Sequence, residues 1–335
     1  MILIIIILFI LSFFCTYFLT RWWIKRAKSI ELMGKDMNKY DKPLVAEMGG
    51  LSVLISFIFI VLFFLGYNTF IKADISLNLE ILAIIATISL IGIFGMIDDL
   101  LGWKIGLKQW QRPILCLFAA LPIAMINVGH SIMALPFIGY VEFGIIYPII
   151  LIPIGISGAA NGFNLIAGYN GLETGMGVII IGTLGIVNWL IGNQTLAIVS
   201  FIMVASLIAF LIFNWYPAKV FPGDTLTYTV GALIAIIAIL GNMEKIALFL
   251  FIPYFIDFIL QARGKFKKEA FGMPHIDKSL EMPFKEDRFG IYHLTHLSLF
   301  LLKKIKNKVF ERGVVLFIFL IEIILAMIVL IPFIV

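Results

Sequence analysis

Ten apolar stretches, each long enough to cross a bilayer, constrain this chain more than any other feature. A transmembrane helix needs about 20 mainly apolar residues, and windows of that size fall near 1–20, 48–66, 79–97, 112–128, 143–160, 175–192, 196–213, 225–241, 246–260 and 313–333. Hydrocarbon leaves no water to satisfy backbone groups, so segments of this length must be helices. The expected fold is all-α: a single integral-membrane domain over 1–335 with about ten transmembrane helices. Composition agrees, since 62% of residues are hydrophobic and 13% charged, against about 25% charged in soluble domains. Cys15 and Cys116 fall inside expected helices, which argues against a disulfide framework.

Charge orients the bundle. Arg21, Lys25, Arg26 and Lys28 follow the first apolar stretch rather than precede it, so it reads as a retained helix with its N-terminus outside. Threading ten helices from there puts loops 21–47, 98–111, 161–174, 214–224 and 261–312 on one side. Those loops and their edges carry 23 of the 25 Lys and Arg residues, only Lys72 and Lys245 lying opposite. By the positive-inside rule that side is cytoplasmic and both termini are external. The net charge of +5 gathers on that face, where it serves topology and attraction to anionic lipids or, alternatively, attraction for an anionic substrate. No nucleic-acid motif, phosphate-binding Gly-rich loop, Cys-x-x-Cys pair or internal repeat is visible, and Asn193-Gln194-Thr195 reads as a short external turn.

Four polar stretches interrupt the apolar pattern. In "GMIDDLLGWKIGLKQW", Asp98 and Asp99 end the third helix, either as a solvated terminus with Lys104 and Lys108 as counter-charges or as a site whose repulsion a hard cation relieves. In "NGFNLIAGYNGLETG", Asn161, Asn164 and Asn170 offer amide oxygens and donors, and the glycines let a ligand approach the backbone; a turn explains one Asn-Gly but not three asparagines. In "NWYPAKVFPGDT", Asp224 opens the eighth helix, as an N-cap or as a metal ligand at a helix N-terminus. The segment 261–312 carries His275, His293 and His296, the last two at i, i+3 on an expected interfacial amphipathic helix rather than in a zinc site. All four stretches share the cytoplasmic side of a topology derived without them. Acidic residues at membrane depth are functional candidates by default.

In order, "DKPLVAEMGG", "GMIDDLLG", "NGFNLIAGYNGLE" and "NWYPAKVFPGDT" resemble the signatures of the polyprenyl-phosphate N-acetylhexosamine-1-phosphate transferases, with wording similar to the dolichyl-phosphate N-acetylglucosamine branch. The resemblance implies a ten-helix fold with a cytoplasmic active site, in the cell membrane if the source is prokaryotic. It implies transfer of N-acetylglucosamine 1-phosphate from a UDP-sugar to a membrane polyprenyl phosphate, releasing UMP. It further implies Asn164 and Asp224 as ligands of Mg2+ (Mn2+ as the alternative), Asp98 and Asp99 as the acidic pair, and Lys108 as a cation on the phosphates. Phe221 would stack on uracil against the Gly168 region, with Asn170 and Glu47 contacting the nucleoside.

Two departures stand out. The family's third acidic residue after the Asp pair is absent from Asp98-Asp99-Leu100-Leu101-Gly102, and its basic cluster in the last loop is replaced by "MPHIDKSLEMP". His275 is the candidate there, with Lys278 and Arg288 able to share the role. The expected partners are a UDP-sugar, a polyprenyl phosphate, the bilayer and a second copy of the chain, with no nucleic acid. The alternatives are another UDP-N-acetylhexosamine or a lipid-linked sugar transporter, against which the one-sided clustering and the lack of repeats argue.

Overall fold

The computed structural model describes residues 2–127, 129, 131–135, 139–284 and 290–334. The first three apolar stretches form α1 (Ile2–Ser29), α2 (Gly50–Ile71) and α3 (Asn78–Gly102). The fourth is short and broken into α4 (Gln111–Ala119) and α5 (Leu121–Met125), with Pro122 opening the second piece. Then follow α6 (Tyr147–Leu165), α7 (Leu172–Leu190), α8 (Gln194–Asn214) and α9 (Gly223–Leu240). The ninth stretch bends by 56° between α10 (Glu244–Leu250) and α11 (Ile252–Arg263), where Pro253 sits in the first turn of the second piece. The chain ends with α12 (Leu294–Ile305) and α13 (Glu311–Ile334).

Among the described residues eight helices are long and apolar enough to cross a membrane, nine if the bent pair is one span. The chain is an all-α, multi-pass integral membrane protein. The fourth expected span is an apolar helix too short to count by the same measure. Three two-stranded hairpins decorate the helices. One joins β1 (Met33–Lys35) to β2 (Leu44–Ala46), and its Ala46 bridges Val220 in the loop before α9.

Helix α9 is the axis of the bundle: 83% of its apolar window is buried, against 17% for α1 and 33% for α13, which face outward. Small residues let neighbours approach its backbone. A Cβ on Gly231 would lie 2.4 Å from the Ala159 carbonyl oxygen of α6, and one on Gly95 of α3 would lie 2.7 Å from Thr225 Cα.

The last loop is fastened to the bundle by α11 and α12. Asp257 accepts from the Leu294 N–H at 2.6 Å and from Gln261 Nε2 at 2.6 Å, and Gln261 also donates to the Leu165 carbonyl at 2.9 Å. His293 contacts the Lys268 carbonyl through Nε2 at 2.9 Å. His296 accepts the Tyr292 N–H at Nδ1 and reaches the Phe271 carbonyl through Nε2, both at 3.3 Å. These two histidines therefore hold the loop backbone.

Burial, reinforced by His293, pushes His296 down to about 4. Below its unfolded value of about 6.5, the unfolded chain takes up a proton that the folded chain refuses until about 4. The stabilising contribution is thus complete above pH 6.5 and is lost as pH falls toward 4. Thermal melts in detergent should show the wild-type midpoint falling more steeply between pH 6.5 and 4.5 than that of His296→Gln.

Candidate active site

The site forms where one end of α9 meets the ends of α3 and α6. A buried helix N-terminus exposes N–H groups that need acceptors, and Asp99 supplies them from another helix. Its Oδ1 accepts the Asp224 N–H at 2.7 Å; its Oδ2 accepts the Thr225 N–H at 3.0 Å and the Thr225 hydroxyl at 2.6 Å. Gly223 makes this possible, having φ of +71° and a position where a Cβ would sit 2.5 Å from Asp99 Oδ2. From the opposite side, the Gly49 and Gly50 N–H groups donate to the Phe221 and Pro222 carbonyls at 2.9 and 2.8 Å, and the Phe221 N–H donates to Ala46 at 2.7 Å. The "EMGG" and "FPGDT" stretches are thereby tied together backbone to backbone.

Asp98 points elsewhere, as neighbours on a helix must. It is buried, with Oδ1 accepting the Leu107 N–H at 2.8 Å and Oδ2 lying 2.8 Å from Arg112 Nε and 3.4 Å from the Tyr228 hydroxyl. The Arg112 contact is an ion pair without hydrogen-bond alignment. Arg112 also reaches toward Asp224, with Nη2 3.9 Å from Oδ2. One guanidinium thus spans two carboxylates. Gly102, at φ 66° and ψ 170°, turns the chain out of α3 so that Arg112, in the first turn of α4, can fold back on Asp98. Across the site, Asn164 at the end of α6 accepts the Thr227 hydroxyl at 2.9 Å, one turn along α9 from Asp224.

Asn164 and Asp224 line a polar cavity that also takes in Lys35, Asp36, Gly168, Asn170, Phe221 and Phe271. Its wall is built from residues distant in sequence. Asn38 donates to the Gly168 carbonyl at 2.8 Å, the Gly168 N–H donates to Glu173 at 2.9 Å, and Asn170 donates from Nδ2 to Asp36 at 2.8 Å and from its backbone to Glu311 at 2.8 Å. Lys39 is buried between Asp36 and Glu311. A second cavity of about 440 Å3 is almost wholly apolar and runs along α6, α9, α10 and α11, lined by Gly155, Gly158, Gly162, Ala238 and Phe251 among others.

Residues 81–242 match the model of glycosyl transferase family 4. A protein of Saccharolobus solfataricus, provisionally named UDP-N-acetylglucosamine–dolichyl-phosphate N-acetylglucosaminephosphotransferase, is 37% identical over 287 residues, 85% of each chain. The chain belongs to glycosyl transferase family 4. A Sulfolobus acidocaldarius protein of the same provisional name is 37% identical over 78% of this chain and 79% of its own. The Dictyostelium discoideum enzyme carrying that name outright is 29% identical over 68% of this chain and 64% of its own.

Within this family 4 chain the expected residues separate into groups. Asn164, Gly168, Asn170, Phe221 and Asp224 share one cavity, and Asp98 and Asp99 adjoin it through Arg112 and the α9 terminus. Lys108 does not join them: its side chain is exposed, and the cation on the carboxylates is Arg112. His275 lies in a separate surface pocket with Glu281 and Lys303, 3.4 Å from the Glu281 carboxylate. Glu47 packs against Gly34, its carboxyl pushed up by burial, and is not among the cavity's lining residues. Arg288 lies outside the described residues. Asp224 does not cap α9: the helix begins behind Pro222, and Asp99 of α3 accepts the N–H groups of its first turn, which leaves the Asp224 carboxylate free of that role. Asp36, Lys39, Arg112 and Glu311 were not singled out from sequence; Arg112, a cation entering an apolar helix just before Pro113, carried the readable signal.

Removing Arg112 strands a buried carboxylate, which costs about 3 kcal/mol when a buried pair is broken. Arg112→Ala should lower the melting temperature by several degrees, and Arg112→Lys should recover part of that loss. Gly223→Ala, strained in φ and pressed against Asp99, should reduce activity at least tenfold, with UMP affinity measured alongside.

Proposed function

We propose that the chain transfers N-acetylglucosamine 1-phosphate from UDP-N-acetylglucosamine to a membrane polyprenyl phosphate of the dolichyl type, releasing UMP, on the cytoplasmic face. The observation that carries this reading is that a carboxylate-rimmed cavity and an apolar groove are both built on α6: Asn164 lines the cavity, and Gly162 and Leu165, on the same turns, line the groove. A water-soluble nucleotide sugar suits the first and an isoprenoid chain the second. The names of the relatives support the sugar and the acceptor, and the concentration of Lys and Arg on one side supports the face.

Among the described residues no group of three or more His, Cys, Asp or Glu side chains could hold a metal ion by itself. One carboxylate and one amide oxygen, Asp224 and Asn164, nevertheless fit Mg2+, which usually takes one or two protein carboxylates, with waters and substrate phosphates filling the rest of the shell. Asp224 and Asn164 would hold that ion, which supplies charge neutralisation to the diphosphate. The chain's own groups do the remaining work. Arg112, between Asp98 and Asp224, places positive charge where three phosphoryl groups must meet, and Lys35 adds a second cation at the cavity. Phe221 and Phe271 provide aromatic faces for the base. Asp99, its oxygens engaged by three donors, serves as an anchor for Asp224. Asp98 is the acid beside the attacking phosphate, which is already substantially ionised near neutral pH, so direct attack needs no strong base. Positioning and electrostatics then dominate, as in phosphoryl transfer generally.

Membranes given radiolabelled UDP-N-acetylglucosamine, polyprenyl phosphate and Mg2+ should yield a chloroform-soluble labelled product and UMP; label crossing the membrane unmodified would instead mark a transporter. Asp224→Ala and Asn164→Ala should lose activity and metal dependence together, and an unchanged Mg2+ titration in both would remove the ligand assignment. A Cβ on Gly158 meets nothing within 4 Å, so Gly158→Phe should fill the groove without disturbing packing. It should raise the KM for the lipid acceptor at least tenfold and leave the KM for the nucleotide sugar within about twofold.

A further inference from the structure

Helix α12 has two unlike sides. In its last two turns Ser298 and Leu299 are buried, while Phe300, Leu301, Lys304 and Ile305 are exposed. At about 100° per residue these four positions fall within one arc of about 140° and form a stripe along the helix. Three of the four are apolar, and Ile305 has 77% of its surface exposed. Phe310, just past the helix, is exposed as well.

The inner side is fixed to the protein. Thr295 donates to the Ala270 carbonyl at 2.9 Å, and the Leu294 N–H donates to Asp257 of α11 at 2.6 Å. At the other end, only residues 306–310 separate Ile305 from Glu311, where α13 begins. Both α11 and α13 belong to segments apolar enough to cross a membrane, and α12 packs against both. Tied to spans at its two ends, α12 is held at the bilayer surface, with its stripe facing away from the protein.

Four lysines crowd the end of this helix, and they divide into pairs. Lys308 lies 2.7 Å from Asp277 and Lys303 lies 3.8 Å from Glu281, so these two fasten the last loop. Lys304 and Lys306 are exposed and meet no carboxylate among the described residues. Lys304 instead lies over the Phe300 ring, its Nζ 4.7 Å from the centroid. An interfacial helix of this make-up buries its apolar side chains at the boundary of headgroups and acyl chains, and its lysines attract anionic lipids.

We propose that the outer stripe of α12 is a docking surface for anionic phospholipids of the bilayer. Phe300, Leu301 and Ile305 enter the acyl boundary, and Lys304 and Lys306 select the negative headgroup. Lys303 and Lys308 hold the loop and take no part in that choice. The surface is separate from the candidate active site and does not rest on the transfer reaction.

The test uses the purified full chain in nanodiscs of equal parts phosphatidylglycerol and phosphatidylcholine, with bromine on the acyl chains of one lipid or the other. Ile305→Trp places a fluorescent reporter on the stripe, and subtracting the signal of the unsubstituted chain removes that of the six native tryptophans. A lysine near an anionic surface is worth about fivefold in attraction, so brominated phosphatidylglycerol should quench the reporter at least twice as strongly as brominated phosphatidylcholine. Lys304→Gln with Lys306→Gln should bring that ratio to about one and leave the melting temperature unchanged. Lys303→Gln with Lys308→Gln should lower the melting temperature and keep the ratio. Equal loss of the ratio in both double variants would overturn the assignment to Lys304 and Lys306. Equal quenching by the two lipids with all four lysines in place would overturn the anionic preference. No quenching by either would mean that the stripe faces water or another protein and would overturn the proposal outright, and these last two arms need no lysine variant to fold.

Discussion

The exposed N–H groups at the start of α9 are the constraint on which the site depends. The most buried of the spanning helices begins inside the protein, where unsatisfied donors are expensive, and nothing within its own first turn caps it. Asp99 satisfies those donors from α3, while Gly49 and Gly50 hold the incoming strand of backbone from the other side. The same contacts that close this helix end fix Asp224, the first acidic residue after the turn. Stability and site geometry are therefore coupled here, because the cap cannot be lost without releasing the carboxylate that faces the cavity.

Charge in the site is arranged around this anchor. Asp98, Asp99 and Asp224 would repel one another if all were bare, and the structure answers each differently. Asp99 is engaged by helix-end donors, Asp98 by Arg112 and the Leu107 N–H, and Asp224 by the far edge of Arg112 and by the neighbouring Asp98. The least compensated carboxylate is the one that lines the cavity, which is where a cation-bearing diphosphate would find a partner.

Much of the fold was legible because lipid permits few solutions. Long apolar windows depend on local composition, and each of them holds a helix in the structure, although α1 runs on to Ser29 and the window at 112–128 holds a broken helix too short to count as a span. Asn164, Asn170 and Asp224 stood out because Asn and Asp are costly beside apolar helices unless something needs them, whereas Phe221 entered only through the resemblance of its motif; all four line one cavity. Arg112 escaped because a cation at a helix edge on the Lys- and Arg-rich side is accounted for by the expected topology alone. Asp36, Lys39 and Glu311 escaped for another reason: their pairing joins positions 272 residues apart, from 39 to 311, and no periodicity reports such a contact.

The distribution of roles between Asp98 and Asp99 shows why adjacency in sequence says little about shared function on a helix. Successive residues point about 100° apart, so one carboxylate of the pair turns to α9 and the other to α4. The first has its acceptor capacity taken up by backbone and hydroxyl donors. The second keeps a guanidinium and a phenol beside it, at the edge where phosphates would meet. A base or nucleophile must present a free lone pair to the reacting atom, and neither member of the pair does so here: Asp99 is taken up by helix-end donors, and the buried Asp98 has both oxygens engaged. The doublet is thus two single residues with separate tasks, one building the end of α9 and the other holding Arg112.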